Sequence, residues 1–144
     1  PECKSNALQE CSREQVVNSF DNTILYTDHF LGQAIQWLKK SETTSAPAML
    51  YVSDHGESLG ENNLYLHGLP YRVAPDVQKR VPWITWWSPQ FEKQMGLSRT
   101  CLQNKAQMPL THDNYFHSVL GLLNVSTADY QAKLDVHADC RGKS

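Results

Sequence analysis

The hydrophobic pattern changes period several times along the chain, and each change marks an element. Val16, Val17, Phe20, Ile24, Leu31, Ile35 and Leu38 recur at helical spacing. Ser12 followed by Gln15 has the form of a capping box, and Lys39 and Lys40 suit the negative end of a helix. The pattern predicts one long amphipathic helix from about Arg13 to Lys40, then a polar loop over Ser41–Pro47. Ala48-Met49-Leu50-Tyr51-Val52-Ser53 is short and continuously apolar, as a strand buried on both faces should be. From Gly56 to Pro70 the chain is rich in glycine and asparagine and predicts an irregular loop of the kind that often carries function. Val81–Trp87 predicts a second strand, with Pro82 tolerable near its start and Ser88-Pro89 as its stop. A short helix is expected near Gln90–Met95. Another, capped by Thr111 or Asp113, would carry Phe116, Val119, Leu120 and Leu123, and a last one would cover Thr127–Leu134. Helices alternating with buried strands give an α/β class.

At 144 residues the chain is long enough for one domain with a real core. Its formal charge of −2 shows no nucleic-acid footprint. No run of about 18 apolar residues occurs, so no spanning helix is expected, and no signal peptide is evident. The chain opens with Pro1-Glu2-Cys3 rather than methionine, which suggests a processed or cut piece of a longer protein. The four cysteines, Cys3, Cys11, Cys101 and Cys140, form no C-x-x-C pair, which argues against a structural zinc knot or a thioredoxin-type motif. Two disulfides in an oxidising compartment fit their even count, Cys3 with Cys11 closing a short loop and Cys101 with Cys140 pinning the tail. Four buried thiols in a reducing compartment fit the same count.

The chemistry-bearing segment is Ser53-Asp54-His55-Gly56-Glu57-Ser58-Leu59-Gly60-Glu61-Asn62, directly after a hydrophobic strand. Ligands commonly bind at the carboxyl ends of strands in open α/β sheets, and carboxylate oxygen and imidazole nitrogen are good zinc donors. Adjacent strand residues point to opposite faces, so Asp54 and His55 can share one metal only if the chain turns, which Gly56 would make easy. His67, between Leu66 and Gly68 on the same loop system, could return as a substrate contact or second-metal ligand. The plainer alternatives are an ordinary turn in which Asp54 bonds its own backbone, solvated charges at Glu57 and Glu61, and a structural histidine at 67. His112-Asp113 reads as a helix start. His29, His117 and His137 read as surface or packing residues, and Trp83, Trp86 and Trp87 as core and strand surface. Asn124-Val125-Ser126 matches a glycosylation acceptor.

The run Tyr51–Asn62, continued by Tyr65-Leu66-His67-Gly68-Leu69-Pro70, resembles the signature of lipid A phosphoethanolamine transferases, chromosomal and mobile colistin-resistance types, in the alkaline phosphatase–sulfatase superfamily. Phe20-Asp21-Asn22-Thr23-Ile24-Leu25, Gln36-Trp37-Leu38 and Thr111-His112-Asp113 extend the resemblance over most of the chain. It implies an alkaline-phosphatase-like fold, a central mixed sheet sandwiched by helices, with Ala48–Ser53 central and Val81–Trp87 in the same sheet. Residues 1–144 would be the C-terminal part of a periplasmic catalytic domain tethered to the inner membrane. The implied reaction moves phosphoethanolamine from phosphatidylethanolamine to a lipid A phosphate through a threonine ester, with Zn2+ as cofactor, and confers polymyxin resistance. By the same resemblance Asp54 and His55 are metal ligands and Glu57 and His67 lie near the bound phosphoethanolamine. Cys3 with Cys11 matches a family disulfide, and Cys101 with Cys140 looks like a second. The threonine nucleophile, a glutamate ligand and a transmembrane domain would lie upstream, so this segment alone is expected to be inactive. Thr23, Thr27 and Thr85 match no nucleophile motif. A sulfatase, a phosphatase, a glycerol-phosphate polymerase, transfer to another lipopolysaccharide site, or a degenerate binding domain are the alternatives.

Overall fold

In the computed structural model, which describes residues 2–142, the long helix α1 spans Arg13–Lys40, the bounds its sequence signals predict. Its start is closed reciprocally. The Ser12 N–H donates to Gln15 Oε1 at 2.9 Å, and the Gln15 N–H donates to Ser12 Oγ at 3.3 Å. Lys39 and Lys40 occupy its last turn. β1 is Ala48–Val52, and β4, Trp83–Trp87, is its only sheet partner among the described residues. At one end of this pair the Ser53 N–H donates to the Pro82 carbonyl, and at the other the Ser88 N–H donates to the Pro47 carbonyl, so the two strands run antiparallel.

The expected strand at 81–87 loses its first two residues because Pro82 has no N–H to donate. β1 is apolar throughout but only half-buried along its whole length, not covered on both faces as expected. A second sheet lies within the predicted loop: β2, Ser58–Leu59, and β3, Tyr65–Leu66, pair antiparallel. Among the described residues the strands form two two-stranded sheets. Three further helices follow, α2 (Asp76–Lys79), α3 (Pro89–Met95) and α4 (Arg99–Lys105), then α5 (His112–Leu122). The expected helix at 127–134 reduces to a 3-10 turn at Ala132–Leu134.

The chain divides into two compact units. The first comprises Pro1–Trp37 and Tyr51–Thr85. Cys3 and Cys11 are joined by a disulfide, and the Cys3 N–H donates to Ser19 Oγ at 2.9 Å, which fixes the leading segment to the first turns of α1. Val16 and Leu31 are buried on the inner face of α1. The hairpin is tied to α2 by the buried Gln78, whose Nε2 donates to the buried Ser58 Oγ at 2.8 Å.

The second unit comprises Leu38–Leu50 and Trp86–Ser144. Ser88 caps α3, accepting from the Phe91 N–H, and Gly96 ends it in the left-handed conformation. The disulfide Cys101–Cys140 holds the tail to α4, and Leu97 bridges to Arg141. Both expected pairings are therefore present, and no cysteine is free. Against α5 the tail builds a buried charged group around Asp135. Its Oδ2 accepts from Tyr130 Oη at 2.8 Å and from the Arg141 guanidinium at 3.1 Å, and its Oδ1 accepts from the His137 N–H at 2.9 Å. The His137 ring is buried with Nδ1 3.4 Å from Asp135 Oδ1, within ion-pair reach but making no hydrogen bond. His117 is also buried and accepts the Gln131 N–H, so both histidines are packing residues rather than surface ones.

Candidate functional site

The site is built where β1 ends. Beyond Val52 the chain leaves the strand. Ser53 Oγ donates to the His55 carbonyl at 2.8 Å, and the Gly56 N–H donates to the Gln78 carbonyl at 3.0 Å. Gly56 does not adopt a positive φ, so conformational freedom is not what this position requires. A Cβ there would lie 2.0 Å from the Val77 carbonyl oxygen, and close backbone approach is the requirement.

The β2–β3 hairpin then reverses the chain through three left-handed residues. Gly60 has φ 105°, Asn62 φ 53° and Asn63 φ 59°. Glu61 Oε2 accepts the Leu59 N–H at 2.7 Å, so this carboxylate braces the turn. The reversal returns His67 to the strand end. His67 Nδ1 lies 2.8 Å from Glu57 Oε1, His55 Nδ1 lies 3.8 Å from the same oxygen, and the two imidazoles stack.

His55, Glu57 and His67 each offer a donor atom, all within 4.8 Å of one another. Two imidazoles and a carboxylate are a donor set that suits zinc. Glu57 Oε2 is buried without a protein hydrogen-bond partner, an acceptor that a cation would satisfy. The residues present therefore fit a bound metal ion. Asp54 is placed differently. Its Oδ2 is 3.6 Å from His55 Nε2 while its side chain is 88% exposed, and its Oδ1 accepts the His55 N–H at 3.1 Å. It carries the backbone bond of a turn and also sits beside the cluster, outside the three-residue group.

Asp54, His55 and Glu57 line a cleft of about 970 Å³ within the first unit. Phe20 and Ile24 of α1 and Tyr51 of β1 form apolar wall, and Asp54, His55 and Glu57 form its polar part. Sequence reasoning did not foresee Gln78, whose bond to Ser58 anchors the hairpin. A lone glutamine in a polar stretch carries no signal of its own.

Imidazoles and carboxylates gathered in a cleft at a strand end are an arrangement that can hold a metal ion beside a bound substrate. A sequence profile of the sulfatase family matches residues 1–125, and the chain belongs to that family. It is 45% identical over 142 residues to phosphoethanolamine transferase EptA of Salmonella typhimurium, covering 98% of this chain and 26% of that protein. It is 43% identical over 129 residues to phosphatidylethanolamine transferase Mcr-1 of Escherichia coli, covering 90% of this chain and 22% of that one.

Two solved structures from Neisseria meningitidis share the fold at 41% identity. The soluble domain of lipooligosaccharide phosphoethanolamine transferase A matches with TM-score 0.94, over 99% of this chain and 43% of its own. The integral membrane form of that protein matches with TM-score 0.93, over 98% and 26%. The chain thus spans about a quarter of the length of the curated relatives it matches. Its fold is the α/β fold of those soluble domains. Among its own described residues, no helix is long and apolar enough to cross a membrane.

Proposed function

We propose that this chain supplies one wall of the active site of a zinc-dependent phosphoethanolamine transferase, acting on the periplasmic face of the inner membrane. The enzyme would move phosphoethanolamine from phosphatidylethanolamine to a phosphate of lipid A and so protect against polymyxins. The observation that carries this reading is the convergence of His55, Glu57 and His67 at the end of β1. Similarity to relatives named for that transfer supports it.

Asp54 and His55 are the proposed metal ligands from this chain. Zinc, when bound, would polarise a phosphoryl oxygen and favour the ionised form of a hydroxyl nucleophile. Glu57 offers a carboxylate to the ammonium group of the ethanolamine, and His67, oriented by Glu57 through Nδ1, presents its other nitrogen to the phosphate. The transfer is proposed to pass through a threonine ester in two displacements, with the threonine and a further carboxylate ligand supplied from outside this chain. The half-buried, apolar β1 is consistent with that reading. A two-stranded sheet is marginal alone, and further strands would complete it.

The match to the sulfatase profile favours one second reading, hydrolysis of a sulfate or phosphate ester on the same metal site. One assay separates the two. The longer protein containing this chain is given fluorescent phosphatidylethanolamine and lipid A, and separately an aryl sulfate. Release of diacylglycerol with labelling of lipid A supports transfer. Sulfate release without it reverses the reading. An anomalous difference map across the zinc edge tests the metal, a peak about 2.0–2.2 Å from Asp54 oxygen and His55 nitrogen being the expected result.

A further inference from the structure

The loop that carries His67 is exposed and apolar at the same time. Every residue from Leu66 to Val73 is exposed, and the stretch reads Leu-His-Gly-Leu-Pro-Tyr-Arg-Val. Tyr71 is 77% exposed and Val73 68%, with Leu66 and Leu69 beside them in sequence. Single exposed leucines are ordinary on a protein surface, but a run of large apolar side chains is not.

The run is held in place rather than loose. The Val73 and Ala74 N–H groups both donate to the Pro70 carbonyl at 2.9 Å. Ala74 and Gln78 are buried behind it, and the Lys79 ammonium lies 5.3 Å from the centre of the Tyr71 ring. The segment therefore holds these side chains in place at the surface of this chain.

Its charge differs in sign from that of the whole chain. Residues 66–80 contain Arg72, Lys79 and Arg80 against the single acid Asp76, whereas the chain has a formal charge of −2. Aliphatic side chains, a tyrosine and a basic surplus in one segment are the composition of a lipid interface. The apolar groups enter the acyl boundary, the phenol sits at headgroup level, and the cations meet anionic phosphates.

We propose that residues 66–80 dock on an anionic phospholipid bilayer, with Leu69, Tyr71 and Val73 entering the interface and Arg72 pairing with lipid phosphate. His67 lies in the same loop, 2.8 Å from Glu57, so docking sets the His55–Glu57–His67 cluster at headgroup depth. This rests on the proposed reading only in taking the substrate to be a membrane lipid. The relative solved as an integral membrane protein places a homologous fold in a membrane protein.

Flotation of the 144-residue chain with vesicles tests it, comparing phosphatidylethanolamine–phosphatidylglycerol vesicles with phosphatidylcholine alone. The chain is expected to partition at least about tenfold more strongly to the anionic vesicles. The combined change Leu69→Ser, Tyr71→Ser, Val73→Ser should lower partition at least about tenfold. Arg72→Glu should lower it at least about fivefold at low salt, and much less at about 0.5 M salt. Equal partition to both vesicle types, or variants that bind as the parent does, overturns the proposal.

Should the isolated chain lack the circular-dichroism signature of a packed fold, the longer protein provides the readout. There the triple change should raise KM for donor embedded in anionic vesicles about tenfold, with kcat and the KM for a short-chain soluble donor unchanged. An equal rise for both donors overturns docking, as does no rise for either. Absence of any phosphoethanolamine transfer overturns the function instead, and flotation of the whole soluble domain that contains this chain, with the same vesicles and variants, then decides the docking.

Discussion

The imidazoles of His55 and His67 stack with ring centroids 3.5 Å apart and planes inclined by 28°. Glu57 stands at the edge of both rings, 2.8 Å from one Nδ1 and 3.8 Å from the other. The carboxylate orients His67 by a hydrogen bond and stands as a nearby negative charge to His55, whose Nδ1 lies 3.1 Å from the Gly56 carbonyl oxygen, so removing its charge should weaken the hold on a cation at His55. Glu57→Gln is expected to weaken zinc binding by the intact protein about 10–100-fold, measured by competition with a chelating dye. An affinity equal to that of the parent would remove Glu57 from the metal site.

Ser58→Ala tests the anchor of the hairpin. Ser58 and Gln78 are both buried, and the hydroxyl accepts the Gln78 amide at 2.8 Å. Alanine leaves that amide without its partner, at a cost of about 1–3 kcal/mol in urea denaturation. Because the same hairpin delivers His67, the proposed phosphate contact, KM for phosphatidylethanolamine should rise in the intact protein carrying the same change.

The Asp135 group predicts an acid limit to stability. Burial opposes its ionisation, but contacts from the His137 ring and N–H, the Tyr130 hydroxyl and the Arg141 guanidinium outweigh burial and hold its carboxyl below the usual range. A carboxyl with a depressed folded value contributes stability above its unfolded value, near 3.8, and loses it as pH falls through the folded one. Thermal unfolding followed against pH should show Tm falling below about pH 4. Asp135→Asn should flatten that acid dependence and lower stability at neutral pH by about 3–5 kcal/mol, since Arg141 keeps a charge without its partner. Burial and the same Asp135 contact push the Tyr130 phenol up.

The two disulfides should differ in worth. Cys101–Cys140 closes a loop with separation 39 and Cys3–Cys11 one of 8. Chain-entropy arguments give about 4 kcal/mol for the longer and about 2.5 kcal/mol for the shorter. Denaturation of Cys101→Ser/Cys140→Ser against Cys3→Ser/Cys11→Ser measures the ratio, and a larger loss from the short loop would contradict it.

How much of this was legible in the sequence depended on whether the signal was local. α1 was readable to its ends because its cap and its basic last turn lie next to its apolar stripe. A helix start at Thr111 or Asp113 was readable for the same reason, and the cap is Thr111, its N–H donating to Asn114 Oδ1 at 2.9 Å. The segment 127–134 has helical composition, but Tyr130 turns to Asp135 and the Gln131 N–H to His117, tertiary bonds that local pattern cannot register. β2 and β3 are too short for a period to show, although Gly60-Glu61-Asn62-Asn63 carried the turn signal. The Asp54–His67 run was visible as chemistry. Which of its residues converge was not, because that depends on the left-handed turn at Gly60–Asn63. The expected pair Asp54 and His55 lies at the strand end, and the hairpin brings Glu57 and His67 to the same place.

Gly56 has a consequence for anyone reading collections of variant genes. Its α-hydrogen occupies the space between the strand end and the Val77 carbonyl, where the smallest side chain would overlap backbone. The glycine codon at this position is therefore a marker. An allele that encodes any other residue there is expected to yield a product whose backbone must shift at the cleft, even with every candidate ligand codon intact.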